Sequence, residues 1–138
     1  MQMAQKGKTG RTFAFGQELW YTRKKKRGRI FMEIRKGTLK DLEAIAAVEA
    51  ACFPAAEAAT AEEFAGRLQQ YGDHFWLLWE GERLLAFVDG FCTDWPDLTD
   101  EMYADASLHR ENGAWQMIFG VNTIPACRKK GYAGMLLQ

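Results

Sequence analysis

The chain has 138 residues, 48% of them apolar, 13% aromatic and only three proline. That length fits one domain of roughly 100–150 residues, and an apolar fraction near the globular norm excludes general disorder. No apolar run approaches the roughly 18 residues that span a bilayer, and no N-terminal block resembles a signal peptide, so a soluble cytoplasmic protein without a membrane partner is expected.

The net charge of zero, from 18 Lys+Arg and 18 Asp+Glu, conceals a division. Residues 1–31 carry nine basic side chains and one acidic one, Glu18, for +8, and the rest of the chain carries −8. Such asymmetry marks a tail. Gly7, Gly10, Gly16 and Gly28, the basic run Arg23–Arg27 and the lack of any sustained period predict a disordered extension ahead of a natural start at Met32. Phe13, Phe15, Trp20 and Tyr21 are interleaved with the charges, which leaves nucleic-acid binding through phosphate contacts and stacking as the alternative. No RNA-binding signature accompanies them. Cys52, Cys92 and Cys127 are odd in number and widely spaced, which reads as reduced buried thiols rather than a disulfide or zinc framework. With only His74 and His109 as imidazoles, no metal is expected.

Regular structure is predicted from Met32. Glu33-Ile34-Arg35 reads as a short strand. Thr38, with Asp41 three residues on, reads as an imperfect capping box before Leu42, Ile45, Ala46, Val48 and Cys52 at helical spacing, and Pro54 ends that helix. Thr60 and Glu63 form a second capping box, followed by Phe64, Leu68 and Tyr71 at i, i+4, i+7 up to Gly72. Phe75–Trp79 and Leu84–Thr93, joined by Glu80-Gly81-Glu82-Arg83, predict an antiparallel hairpin. A long polar connection, part of it helical, runs to Asn112-Gly113, and a connection of that length is usually functional or disordered. Ala114–Ile124 is again strand-like and closes at Pro125. After Arg128–Gly134, Met135-Leu136-Leu137 opens an apolar helix. The order is β-α-α-β-β-β-loop-helix, and a helix that has hardly begun predicts further protein beyond Gln138.

Chemistry concentrates at Arg128–Gly134, between a buried strand and a helix start. Backbone N–H groups converge at such a turn, Gly131 and Gly134 permit close approach, and Arg128, Lys129 and Lys130 add positive charge. A pyrophosphate-bearing cofactor is the natural ligand. Neither the P-loop pattern nor the Rossmann fingerprint is present.

Arg128-Lys129-Lys130-Gly131-Tyr132-Ala133, preceded by Pro125 and a buried strand, resembles motif A of the GNAT superfamily of acetyl-CoA-dependent N-acetyltransferases. Leu98–Met102, Ser107-Leu108-His109 and Gly113–Met117 look like the arylalkylamine (serotonin) N-acetyltransferase-like branch. The resemblance covers residues 32–138. It implies an α/β (α+β) GNAT fold, a mixed sheet flanked by helices, with its C-terminal part missing. It further implies that the strand before motif A splays from its neighbour and pairs with the pantetheine arm at Val121, Asn122 and Thr123. The pyrophosphate cradle would be Arg128, Lys129, Lys130, Gly131, Tyr132, Ala133 and Gly134, largely through main-chain N–H groups. The implied reaction is direct attack of a small primary amine on acetyl-CoA, with a main-chain N–H stabilising the oxyanion.

The sequence departs from that pattern at the general base. The branch's paired histidines fall on Met117 and Phe119, which move no protons. Asp100, Glu101 and Asp105 lie in the loop bordering the amine site; Glu101 is the candidate base, with a solvated acidic loop as the plain alternative, and His109 is a second candidate. The family's general-acid tyrosine falls beyond this chain. Two other readings stay open: an inactive CoA-binding remnant, and a nucleic-acid-binding protein acting through the basic tail.

Overall fold

The computed structural model describes residues 3–6, 19–25 and 28–138, with side chains from Phe31 onward. Its strands are β1 (Met3–Lys6), β2 (Leu19–Lys25), β3 (Gly28–Lys36), β4 (Phe75–Glu80), β5 (Arg83–Asp89), β6 (Cys92–Thr93), β7 (Trp115–Ile118) and β8 (Gly120–Thr123). Its helices are α1 (Leu42–Cys52), α2 (Ala61–Tyr71), α3 (Asp100–Ala104) and α4 (Tyr132–Leu136). The main sheet has the order β2-β3-β4-β5-β8, and β1-β7-β6 form a smaller one. From β3 onward the two helices, the hairpin and the final helix come in the predicted order. The last two predicted strands are each split, into β5/β6 and β7/β8, with α3 in the connection between them. No helix among the described residues is long and apolar enough to cross a membrane.

Two differences from expectation concern the sheet. Every pairing among the described strands is antiparallel, where a mixed sheet was expected. Each described strand returns beside its neighbour in the opposite sense, β5 after β4 through the tight turn at Gly81 and β4 beside β3 after α1 and α2. Second, β3 begins at Gly28 rather than near Met32, because it continues alongside β2 from Leu19↔Ile34 to Lys25↔Gly28. β1, β2 and the start of β3 thus draw three segments of the basic extension into the sheets; residues 1–2, 7–18 and 26–27 of the segment expected to be disordered lie outside the described residues.

Both predicted N-caps form. Asp41 accepts from the Thr38 N–H at 2.9 Å and its hydroxyl at 3.0 Å, and Thr60 Oγ1 accepts the Glu63 N–H at 3.2 Å. Alternation along β4 then builds two cores. Phe75, Leu77 and Trp79 pack under α1 and α2 with Ile45, Phe64 and Tyr71, while Leu78 packs on the other face with Leu85, Tyr132 and Leu136 of α4. Each such apolar side chain contributes about 1.5–3 kcal/mol by leaving water.

The strand predicted over Leu84–Thr93 is broken at Gly90-Phe91. Gly90 passes so close to β7 that a Cβ there would sit on the Met117 carbonyl oxygen. Phe119 interrupts the opposite strand in the same place: its N–H reaches the Asp89 carbonyl at 2.7 Å and Met117 N–H reaches that of Phe91 at 2.8 Å. The two strands bend together there, and the bend sets up the site.

Candidate functional site

Beyond the bend, β8 is the edge of the main sheet among the described strands. Asn122 faces Phe87 and Val121 faces Val88, and the Ile124 N–H bonds the Leu85 carbonyl at 2.9 Å. In an antiparallel ladder this register turns the backbone groups of Asn122 toward β5 and those of Val121 and Thr123 toward the open edge. Thr123 C=O accepts from Cys52 Sγ and Arg128 Nε, both at 3.3 Å. Val121 and the Thr123 N–H are therefore the edge groups available to an extended ligand. Asn122, expected with them, is not: the two-residue period of the strand points its backbone and its side chain into the fold.

After the 3-10 turn Pro125–Cys127, the chain enters the left-handed region at Lys129 (φ 67°) and again at Gly131 (φ 79°), which caps α4. Alternation of left-handed and ordinary residues curls successive N–H groups into a concave, anion-seeking surface. A Cβ at Gly131 or Gly134 would meet no protein atom within 4 Å. Gly134 lies inside a helix, where glycine costs about 1 kcal/mol relative to alanine, so internal packing gives no reason for it. The helix starts at Tyr132, earlier than predicted, and the Tyr132 ring is buried against α4's own core.

Beneath the bend lies a buried polar array. Glu49 occupies the buried stripe of α1 beside Ile45 and Val48, and Arg67 occupies that of α2 between Phe64 and Leu68. Arg67 Nη1 pairs with Asp89 Oδ2 at 3.2 Å, and its Nη2 donates to the Tyr103 carbonyl at 3.2 Å. Asn122 Nδ2 donates to Glu49 Oε1 at 3.1 Å, and the Ala59 N–H donates to Glu49 Oε2 at 3.3 Å. Burial raises the pKa of Asp89 to about 6, against the opposing pull of Arg67. Burial also raises that of Glu49. Asn122 Oδ1, Arg67 Nε, Tyr71 OH and Tyr103 OH are buried without a hydrogen-bond partner.

A second cluster lies toward β6 and β7. The Gln116 amide donates to the Phe91 and Met117 carbonyls, so its Oε1 accepts from His74 Nδ1 at 2.6 Å. His109 Nδ1 accepts the Cys92 N–H at 3.1 Å, which places the ring proton on Nε2, 2.7 Å from Glu111 Oε2. His74 Nε2 lies 3.0 Å from the same oxygen and donates to it only in a doubly protonated ring, since the Nδ1 proton is committed to Gln116. His74, His109 and Glu111 have the residue types of a metal site, but His109 Nε2 carries a proton and offers no lone pair. The cluster is a hydrogen-bonded relay. Burial pushes the nearby Cys92 thiol up to about 11, so it stays protonated.

No family model matches the sequence, and no curated protein does. The structure, however, is similar to the loading GNATL domain of CurA from Lyngbya majuscula, with a TM-score of 0.66 and 20% identity over 77% of this chain and 54% of that one. It is equally similar, at TM-score 0.66 and 26% identity, to the GphF GNAT-like decarboxylase solved with isobutyryl-CoA, over 75% of this chain and 54% of that one. The fold is GNAT-like. The chain spans about half the length of these two structures.

Within the GNAT-like fold, the residues expected at the site separate. Val121, Thr123 and Arg128–Gly134 adjoin one another along the open edge and the loop. Glu101 is exposed on α3, as is Asp100, whereas Asp89 is 1% exposed beside the bend. Met117 and Phe119 are core residues. Phe91 and Trp79 are core rings as well, while Trp95 stays 60% exposed. Asp89, Glu49 and Arg67 were not foreseen as site residues. The signal was present: Glu49 and Arg67 fall on the apolar stripes of their helices, at i+4 from Ile45 and i+3 from Phe64.

Proposed function

We propose that this chain binds an acyl-CoA along the β8 edge and in the 128–134 loop, and transfers the acyl group to a primary amine. One observation carries the reading: a strand edge that is unpaired among the described strands leads through a 3-10 turn into a loop with two left-handed residues and two glycines beside open space. That combination suits an extended pantetheine arm followed by a pyrophosphate. The isobutyryl-CoA held by GphF supports acyl-CoA as the ligand class.

In the reaction a neutral amine attacks the thioester carbonyl carbon. The C–N bond forms, the carbonyl oxygen becomes an oxyanion, the attached nitrogen loses a proton, and the carbonyl re-forms as the C–S bond breaks to release the CoA thiolate, which takes up a proton in turn. The outward N–H of Val121 is placed to donate to the oxyanion. No protein nucleophile is required, and Cys127 is a buried core thiol. Acetyl-CoA and tryptamine are the first pair to assay, following the resemblance to the arylalkylamine branch.

Calorimetric titration of acetyl-CoA into the intact chain tests the binding step. Gly131→Asp puts a carboxylate where the pyrophosphate belongs and strains a left-handed position, and it should weaken acetyl-CoA by about a hundredfold or more. The α1/α2 core lies elsewhere, so circular dichroism should be unchanged. Undiminished affinity in this variant would exclude the loop as the cradle.

A further inference from the structure

Gly120 stands opposite Asp89 on the strand pair β5/β8, and Asn122 opposite Phe87. Side chains two apart on a strand share a face, so Gly120, Asn122, Asp89 and Phe87 all look toward α1 and α2. Where the Gly120 Cβ would be, Asn122 Oδ1 and Asp89 Oδ1 both lie 3.6 Å away. Glycine therefore leaves a hole for about one methyl-sized group beside two acceptor oxygens, with Asn122 Nδ2, already donating to Glu49, at 3.7 Å. Asn122 is 2% exposed and its Oδ1 has no partner. Gly120 itself is half-buried, whereas Asp89 and Asn122 are 1% and 2% exposed.

The charges around the hole do not balance. Asp89 and Glu49 are both buried carboxylates, and among the described residues Arg67 is the only cation acting on either. When both carboxylates are ionised, one negative charge lacks a counter-ion in a setting where that is expensive. A water could satisfy Asn122 Oδ1, but it would leave the charge.

We propose that the hole at Gly120, walled by Asp89 Oδ1 and Asn122 Oδ1, is the binding site for the ammonium group of the acceptor amine, and that Asp89 takes its proton. The inference deepens the acyl-transfer reading and rests on it. The ammonium supplies the missing cation and donates to the two free acceptors. Its N–H bond then breaks toward Asp89 Oδ1, the electron pair stays on nitrogen, and a neutral amine is left at the bend next to Val121. Arg67 keeps Asp89 Oδ2, so only Oδ1 faces the substrate. Burial places the Asp89 carboxyl at about 6, which leaves it ionised yet basic at neutral pH. The exposed Glu101 has neither property of this position, burial or a shared hole.

The test compares amines with their uncharged isosteres on the intact chain, with and without saturating CoA. Methylamine, tryptamine and 2-phenylethylamine are titrated against methanol, tryptophol and 2-phenylethanol, followed by NMR. At least one amine should bind about tenfold or more tightly than its alcohol, the discrimination expected of a buried charge partner. Asp89→Asn keeps an acceptor for Arg67 and should erase that preference. Gly120→Ala fills the hole with a Cβ in ordinary contact at 3.6 to 3.7 Å, so it should fold and erase the preference too. Acetyl-CoA affinity should stay within about twofold in both variants. Equal binding of every amine and its alcohol overturns the proposal, as does a preference that survives both substitutions. An ammonium preference in a chain that does not bind acetyl-CoA would leave this site standing and remove the acyl-transfer reading.

Discussion

Two polar clusters flank the bent strands, and they differ in how their hydrogen bonds are spent. In the His74–Glu111–His109 relay, both ring nitrogens of each histidine have a partner, and Glu111 sits 61% exposed at its rim. In the Asp89 array, four buried polar atoms have none, and two carboxylates share one guanidinium. A saturated cluster ties a loop to a sheet. An unsaturated one, buried at a cost of about 1–3 kcal/mol per orphaned group, is tolerated where something else completes it. The relay is therefore read as structure and the array as a site.

The pH behaviour of the two clusters should run in opposite directions. Asp89 has a folded pKa above its ordinary value, so its contribution to stability is complete below about 4 and is lost as pH rises through about 6. Burial lowers the His109 pKa, so its contribution is complete at high pH and is lost as pH falls through its ordinary value near 6.5.

The comparison breaks most severely at Arg67. Arg67→Met strands Asp89 as a buried, unpaired charge and should cost about 3–5 kcal/mol in urea unfolding at neutral pH. The loss should shrink on acidification, because protonated Asp89 needs no counter-ion. Arg67→Met with Asp89→Leu should recover most of the loss. If Arg67→Met is neutral at pH 7, the pair is not the isolated charge system described here. A smaller effect is expected in the relay. His109→Ala leaves the buried Cys92 N–H without its acceptor and should cost about 1–3 kcal/mol.

How far the sequence foretold these clusters depends on what fixes each part. Both helices were legible because their caps and apolar stripes are local: Thr38, Thr60, and Phe64, Leu68 and Tyr71 act within a few residues of one another. The strand-to-helix turn over 128–134 was legible for the same reason, since its glycines and basic residues act within a few positions of one another. The array was hidden because its members meet only after folding. Asp89 lies inside the strand read over Leu84–Thr93, and nothing local marks it as the point where Gly90 lets the chain cross Met117. Asn122 reads as one more edge residue until the register with Phe87 turns it inward. His109 reads as a surface loop residue, yet its ring lies 5.5 Å from that of Tyr71, a contact across 38 positions of sequence.

Glu111→Gln gives the smallest and most discriminating effect. The carboxylate is largely exposed, so the substitution should change stability at neutral pH by less than about 0.5–1 kcal/mol. Its consequence is in the titration. Burial is the main influence on His109 and lowers its pKa, and the Glu111 hydrogen bond opposes it by favouring the protonated ring. Removing that carboxylate should lower the His109 midpoint further, as followed by NMR, so the acid loss of stability still begins near 6.5 but extends to a lower pH and becomes larger in total. The ring proton should stay on Nε2 throughout, because the Cys92 N–H continues to occupy Nδ1. A His109 midpoint that rises in Glu111→Gln, or a proton that moves to Nδ1, would contradict the relay. The Asp89 profile should be untouched, since Glu111 is not among the groups acting on it. Coupling between the two titrations would mean that the clusters are one site.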